Sequence, residues 1–211
     1  YFPLMWRARY QGRPELAVEL ADIGARLAAA SGDLWIGLIL RMQRCSNLAF
    51  VDPDAALADA QEVADLADAV GVPTFTAAAQ FGVGWAYAFR GDIDAAKRHL
   101  ARAIDTTGDT NLQIPIAAGL FLGRLEVDRD PAGAFASLCE AITRGEAHSI
   151  MPDALGDAYE SVALLWLRAG RVEDAAVLAA ATDQLRATIG ATGDLFFRDQ
   201  QTELRSGLHE A

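Results

Sequence analysis

Positive charge is scarce in this sequence. Eighteen lysines and arginines stand against 29 aspartates and glutamates in 211 residues, a formal net charge of −11. Phosphate backbones and anionic lipid repel such a surface, so neither direct nucleic-acid contact nor membrane association is expected. Cysteine is nearly absent. Cys45 and Cys139 lie far apart, which reads as a reduced, cytoplasmic protein with structural thiols rather than a disulfide framework. Long apolar runs are lacking too, since the stretches Leu34 to Leu40 and Ile114 to Gly123 are too short to span a bilayer. No signal peptide is visible. The chain starts at Tyr1 rather than Met, and it is expected to be a fragment of something longer. Catalytic signatures are missing as well: there is no Gly-x-x-x-x-Gly-Lys phosphate loop, no dinucleotide fingerprint and no His-Glu-x-x-His metal site. No enzyme activity, cofactor or metal is expected.

What is present is a repeat. Gly12-Arg13-Pro14-Glu15, Gly91-Asp92-Ile93-Asp94 and Gly170-Arg171-Val172-Glu173 begin at glycines 79 residues apart (91 − 12 and 170 − 91). Midway stand Val51-Asp52-Pro53-Asp54 and Arg129-Asp130-Pro131, so the period is about 40, the signature of stacked supersecondary units. Hydrophobic residues make up 52% of the chain, enough for a continuous core, and runs rich in β-branched or aromatic residues are few.

Proline keeps the register. Pro14, Pro53 and Pro131 open the second helix of a unit, while Pro73, Pro115 and Pro152 open a first helix. A missing N–H costs nothing in a first turn, where it would be unpaired anyway. Asp52 and Asp130 precede two of these prolines and supply capping carboxylates. Apolar residues keep helical spacing between these points: Leu16, Leu20, Ile23 and Leu27, then Ile93, Ala96, Leu100, Ala103 and Ile104, then Val172, Ala175, Ala179 and Thr182. Helices are predicted over 2–10, 14–30, 34–50, 54–70, 73–90, 92–106, 111–127, 131–145, 152–169, 172–189 and 194–209. The expected fold is all-α: a right-handed superhelix of five antiparallel helix pairs, closed by a last helix carrying Phe196, Phe197, Leu204 and Leu208, and residues 1–211 are expected to form one repeat domain.

Gly84, Tyr87, Gly91, Ala96, Leu100 and Ala103 resemble the tetratricopeptide pattern, in which small residues let two helices approach. Ala163, Trp166, Gly170, Ala175, Ala179 and Thr182 repeat it. The units are longer than the usual 34 residues of that family, so the chain looks tetratricopeptide-like. A second resemblance lies near the C-terminus, where the run Ala175 to Arg186, then Ile189-Gly190 and a helix with Phe197, Leu204 and Leu208, is similar to the terminal helices of large actinobacterial signalling ATPases. These include the LuxR-type and antibiotic-regulatory-protein-type regulators. That resemblance implies the sensor or scaffold portion of such a regulator, without its ATPase or DNA reader.

Single residues carry little chemistry. His99, beside Lys97 and Arg98, reads as a solvated face; Glu146, His148 and Asp153 cluster in a loop but lack a partner motif; His209 is near the chain end. Gly82 with Gly84, and Gly119 with Gly123, read as helix contacts. Trp6, Trp35, Trp85, Trp166, Phe81, Tyr87 and Tyr159 all fall on first helices, which in a tetratricopeptide-like stack line the concave wall. The family pattern places Leu38, Arg41, Phe81, Trp85, Ile116, Gly119, Glu126, Asp157 and Glu160 toward that groove, with core packing between helices as the competing role for Phe81 and Trp85. A protein or peptide partner is expected there, an amphipathic helix or extended segment with apolar anchors and a basic end. A homo-oligomer stays open. The expected function is a non-enzymatic interaction or ligand-sensing scaffold of a bacterial signalling or transcriptional regulator. The alternatives are a stand-alone receptor for a peptide or small molecule, and a helical accessory domain of an enzyme.

Overall fold

The computed structural model describes residues 2–107, 112–148, 152–190 and 195–210. The helices are α1 (Phe2–Tyr10), α2 (Pro14–Ser31), α3 (Leu34–Leu48), α4 (Pro53–Val70), α5 (Pro73–Phe89), α6 (Ile93–Thr107), α7 (Gln113–Glu126), α8 (Pro131–Ala147), α9 (Pro152–Arg168), α10 (Val172–Ile189) and α11 (Arg198–Glu210). A 3-10 turn, Leu195–Phe197, precedes the last of these, so Phe196 and Phe197 sit in the turn rather than in the closing helix. Pro115 is the third residue of α7, still inside the first turn, where no intrahelical N–H bond is lost. The fold is an all-helical array of helix pairs, and contacts gather in two compact units, residues 1–115 and 116–211.

Three of the intrapair turns are copies of one another. Gly12, Gly91 and Gly170 adopt φ of 69°, 80° and 77°. Each is followed by an N–H that reaches back five residues: Arg13 to the Ala8 carbonyl at 3.0 Å, Asp92 to Tyr87 at 3.0 Å, and Arg171 to Trp166 at 2.9 Å. This closure of a helix end needs a left-handed residue, which glycine adopts without a Cβ penalty. The other two turns do without glycine: the Asp52 N–H returns to Leu48 at 2.7 Å and the Asp130 N–H to Glu126 at 2.8 Å. Their carboxylates then accept from the Ala55 and Gly133 N–H groups, both at 3.0 Å, capping α4 and α8.

Packing inside the pairs follows the same period. Ala17, Ala56, Ala96, Ala134 and Ala175 open the second helices and are at most 1% exposed. Met5, Cys45, Gly84, Gly123 and Ala163 hold the facing place on the first helices and are all buried. A Cβ on Gly84 would lie 2.9 Å from Leu100 Cγ, and one on Gly123 would lie 2.7 Å from Leu138 Cγ, so glycine permits the close approach of α5 to α6 and of α7 to α8. On α2 the buried stripe is Ala17, Ala21, Gly24 and Ala28, while Leu27 is exposed. The closest contact there is made by the smallest residues, while Leu16 and Leu20 pack half-buried against the cluster of Met5, Ala8, Ala17 and Ala21 and flank it.

Candidate functional site

Neighbouring helices enclose most of the wall expected to be open. In the first unit α5 packs against α3, α4 and α6, and in the second α9 packs against α8, α10 and α11. Leu38, Trp85, Ile116, Asp157 and Glu160 are consequently buried, each under 8% exposed, which corrects the groove-facing reading of Leu38, Ile116, Asp157 and Glu160 and gives Trp85 its competing role in the core. Gly119 faces Ala141 at 3.3 Å for an added Cβ, again a helix contact. Arg41, Phe81 and Glu126 are half-buried.

The buried residues form two dissimilar interiors. In the first unit Trp85 sits among aromatic rings, 5.7 Å from Phe81, 5.8 Å from Phe89 and 6.2 Å from Phe50 between centroids. The Arg9 guanidinium lies 4.8 Å over its ring, a cation–π contact. The second unit has its own rings, Phe121 against Phe196 and Phe197 at 5.7 Å and 5.5 Å, but beside them it buries an ionic cluster. Arg186 bonds to Asp157 and reaches Glu160 at 2.5 Å, Arg124 stands 3.5 Å from Asp157, and Arg205 joins Glu160 at 2.6 Å and Asp183 at 2.6 Å. Burial works against the Arg186 charge, but hydrogen bonds and attraction from Glu160 and Asp157 outweigh it and hold its pKa above the ordinary value. A cleft of about 580 Å³ opens beside this cluster, lined by Arg186, Arg198, Gln201, Thr202, Arg205 and Ser206 among others. The guanidinium groups of Arg186 and Arg205 are already engaged by acids, so the arrangement cross-links α9, α10 and α11.

The remaining singled-out residues are accounted for structurally. Cys45 is 1% exposed and donates to the Arg41 carbonyl at 3.1 Å; burial and the adjacent Asp59 push its thiol pKa far up, which makes it inert. Cys139 is also a free thiol. His99 is not a solvated face: it stacks on Tyr87 at 5.3 Å and bonds to Gln80 at 2.8 Å, and burial lowers its pKa. Glu146 accepts from the Tyr159 hydroxyl at 2.5 Å. The Asp153 side chain lies outside the described residues, among which no group of three metal-ligating side chains is gathered. No described helix is long and apolar enough to cross a membrane.

An unexpected surface stands out in the first unit. Leu34, Trp35 and Ile36, consecutive at the start of α3, are 84%, 50% and 43% exposed. The Trp35 ring packs on the buried Phe75 of α5 at 4.5 Å between centroids. Val72, just before α5, and Leu66 and Val70, on the last turns of α4, are exposed as well. Along the same elements run Asp33, Glu62, Asp65 and Asp68, all exposed. Asp33 caps α3 by accepting from the Ile36 N–H at 3.0 Å, Glu62 meets Arg41 at 3.3 Å, and Asp68 accepts from Thr76 at 3.1 Å with Arg102 at 4.0 Å. The result is an apolar shelf with an acidic rim. Its sequence signal is the triplet itself: three adjacent apolar residues on a helix point about 100° apart, so they cannot all face one core.

No protein-family model and no curated protein matches the chain. Among solved structures it resembles a kinesin light chain-type protein of Podosopora anserina with nearly identical TPR-like repeats, at TM-score 0.55 and 15% identity over 89% of this chain and 93% of that one. A substituted form of that protein superposes at TM-score 0.57 and 15% identity with the same coverage. At this identity the likeness shows the fold alone: a tetratricopeptide-like helical repeat.

Proposed function

We propose that this chain is a non-enzymatic protein-interaction scaffold, working as one repeat array over residues 1–211 and docking its partner on the Trp35 shelf. The observation that carries this reading is the exposure of Trp35, packed on Phe75, together with Leu34 and Ile36 beside it on α3 and Val72 just before α5. Scattered single apolar residues are ordinary on a surface, whereas a contiguous exposed group marks an interaction site. Tetratricopeptide-like repeats suit such a role, being extended scaffolds whose surface positions vary freely around a fixed packing frame. The similarity of residues 175–208 to the terminal helices of actinobacterial signalling regulators supports a finer assignment, the sensor or scaffold segment of a cytoplasmic multidomain signalling or transcriptional regulator.

A photoreactive phenylalanine analogue placed at position 34, with position 177 as control, tests the surface in the source cell. Val177 is 72% exposed and lies on α10, in the other unit. A discrete cross-linked protein from position 34 and none from 177 is expected; equal capture at both sites overturns the assignment. The reading frame around this chain tests the finer claim. An ATPase or helix-turn-helix segment on the same polypeptide is expected, and a free-standing gene would return the chain to the receptor alternative.

A further inference from the structure

Resting on the interaction reading above, we infer that the Trp35 shelf takes one amphipathic segment of a different protein, with apolar anchors on one face and lysines or arginines beside them. The apolar floor consists of Leu34, Trp35, Ile36, Val70 and Val72, each at least 37% exposed. Trp35 already packs at a tilt against Phe75, so an anchor contact orders little that is free, which lowers the entropic cost of binding. Large, preordered aromatic surface is the usual centre of binding energy at interfaces.

Charge selects the occupant. Asp33 and Asp65 carry no ion pair among the described residues, and Asp68 has its only cation at the 4.0 Å limit. A basic flank completes these carboxylates, while an acidic one would be repelled at close range. The same rule disfavours a second copy of this chain. Its rim would bring the same carboxylates face to face, and each copy carries a net charge of −11. Anionic membrane is disfavoured for the same reason.

The test uses the full 211-residue chain and two fluorescent helical peptides of identical pattern, one built from leucine and lysine, the other from leucine and glutamate. The lysine peptide is expected to bind about tenfold or more tighter than the glutamate peptide at low salt, and that advantage should shrink as salt screens the rim. Leu34→Ser, which removes an 84% exposed side chain, and Trp35→Ser should each weaken lysine-peptide binding. Asp65→Lys should weaken it without affecting a neutral leucine–glutamine peptide. Equal affinity for both charged peptides, or lysine-peptide binding indifferent to Leu34→Ser and Trp35→Ser, overturns the inference. So does a concentration-dependent dimer in sedimentation that Trp35→Ser abolishes, since a second copy would then own the shelf. These outcomes are separable from failure of the interaction reading itself: a cross-link from position 34 to a protein without a basic amphipathic segment keeps the interface and removes only this partner chemistry.

Discussion

The two units carry one repeat and fill it differently. Counted from the small residue that meets the second helix, Trp85 follows Gly84 and Arg124 follows Gly123, while Phe81 stands three residues before Gly84 and Glu160 three before Ala163. At these two register places α5 carries rings, whereas the second unit puts one charge at each, Arg124 on α7 and Glu160 on α9, with Leu120 and Leu164 at the matching places of the partner copies. Trp85 is surrounded by Phe50, Phe81 and Phe89 under the Arg9 guanidinium, and Arg124 lies 3.7 Å over the Phe197 ring while facing Asp157. The repeat therefore constrains the helix-to-helix contact and leaves the rest of the first helix free to be apolar or ionic. Trimming a ring from an aromatic interior leaves a cavity, whose cost depends on how far the neighbours can close over it. An ionic interior depends on every partner being present.

The strongest test of that contrast is Arg186→Ala. It would leave Asp157 and Glu160, both buried, without their main cation, and breaking a buried pair in this way costs about 3–5 kcal/mol. Denaturant unfolding should show the loss, and hydrogen exchange should confine it to α9, α10 and α11. Uniform loss across the chain would end the distinction between the two regions. Arg186→Lys should recover only part of the stability, since one ammonium cannot span both carboxylates as the guanidinium does.

Next come the shared positions. Gly84→Ala and Gly123→Ala each drive a Cβ into a leucine of the facing helix, an overpacking expected to cost about 1–3 kcal/mol in either unit. Gly82→Ala meets nothing within 4 Å and should stabilise by up to about 1 kcal/mol through helix propensity. Thermal unfolding of the three variants checks the equivalence. Tolerance at Gly123 with intolerance at Gly84 would break it.

A smaller effect separates the units by pH. Burial holds the folded His99 pKa below its ordinary value of 6.5, and the nearby Arg98 and Arg102 charges lower it further. The unfolded imidazole therefore takes up protons first, so stability present above that value falls as the pH drops through it. Glu203, whose folded pKa is lowered chiefly by its hydrogen bond to Arg168, acts later. Its contribution is full above the ordinary carboxylate value of 4.5 and fades as the pH falls through the lower folded value. Stability measured against pH should show a step near neutral-to-mild acid that His99→Gln removes, and a separate acid limb that Glu203→Gln reduces. The smallest stability change belongs to Leu34→Ser, expected within about 0.5 kcal/mol as for other open surface sites, although the same variant should alter partner binding.

Much of the architecture was legible in the residues. Glycine, proline and capping aspartate mark the turns through backbone rules that need no distant partner, and the predicted helix 172–189 coincides with α10 (Val172–Ile189). Other bounds shifted by a few residues: α3 stops at Leu48 rather than 50, α7 starts at Gln113 rather than 111, α8 runs on to Ala147 rather than 145, and the closing helix starts at Arg198 rather than 194. The candidate site was far less legible. Leu38, Trp85, Ile116, Asp157 and Glu160 were assigned to an open wall by register alone, and register does not say how closely the next helix approaches.

By itself, then, the sequence determined that the chain is helical, where its turns fall to within a few residues, and that its units repeat about every 40 residues, because these follow from local backbone preference and short-range periodicity. Tertiary packing decided which faces close. Arg186 neutralises Glu160 from 26 residues away, a pairing no local pattern encodes. Trp35 stays half-open because Phe75, from another helix, covers just one side of it. Burial is a property of neighbours brought together by the whole fold, and it is burial that separates a residue that holds this protein together from one that can meet a partner.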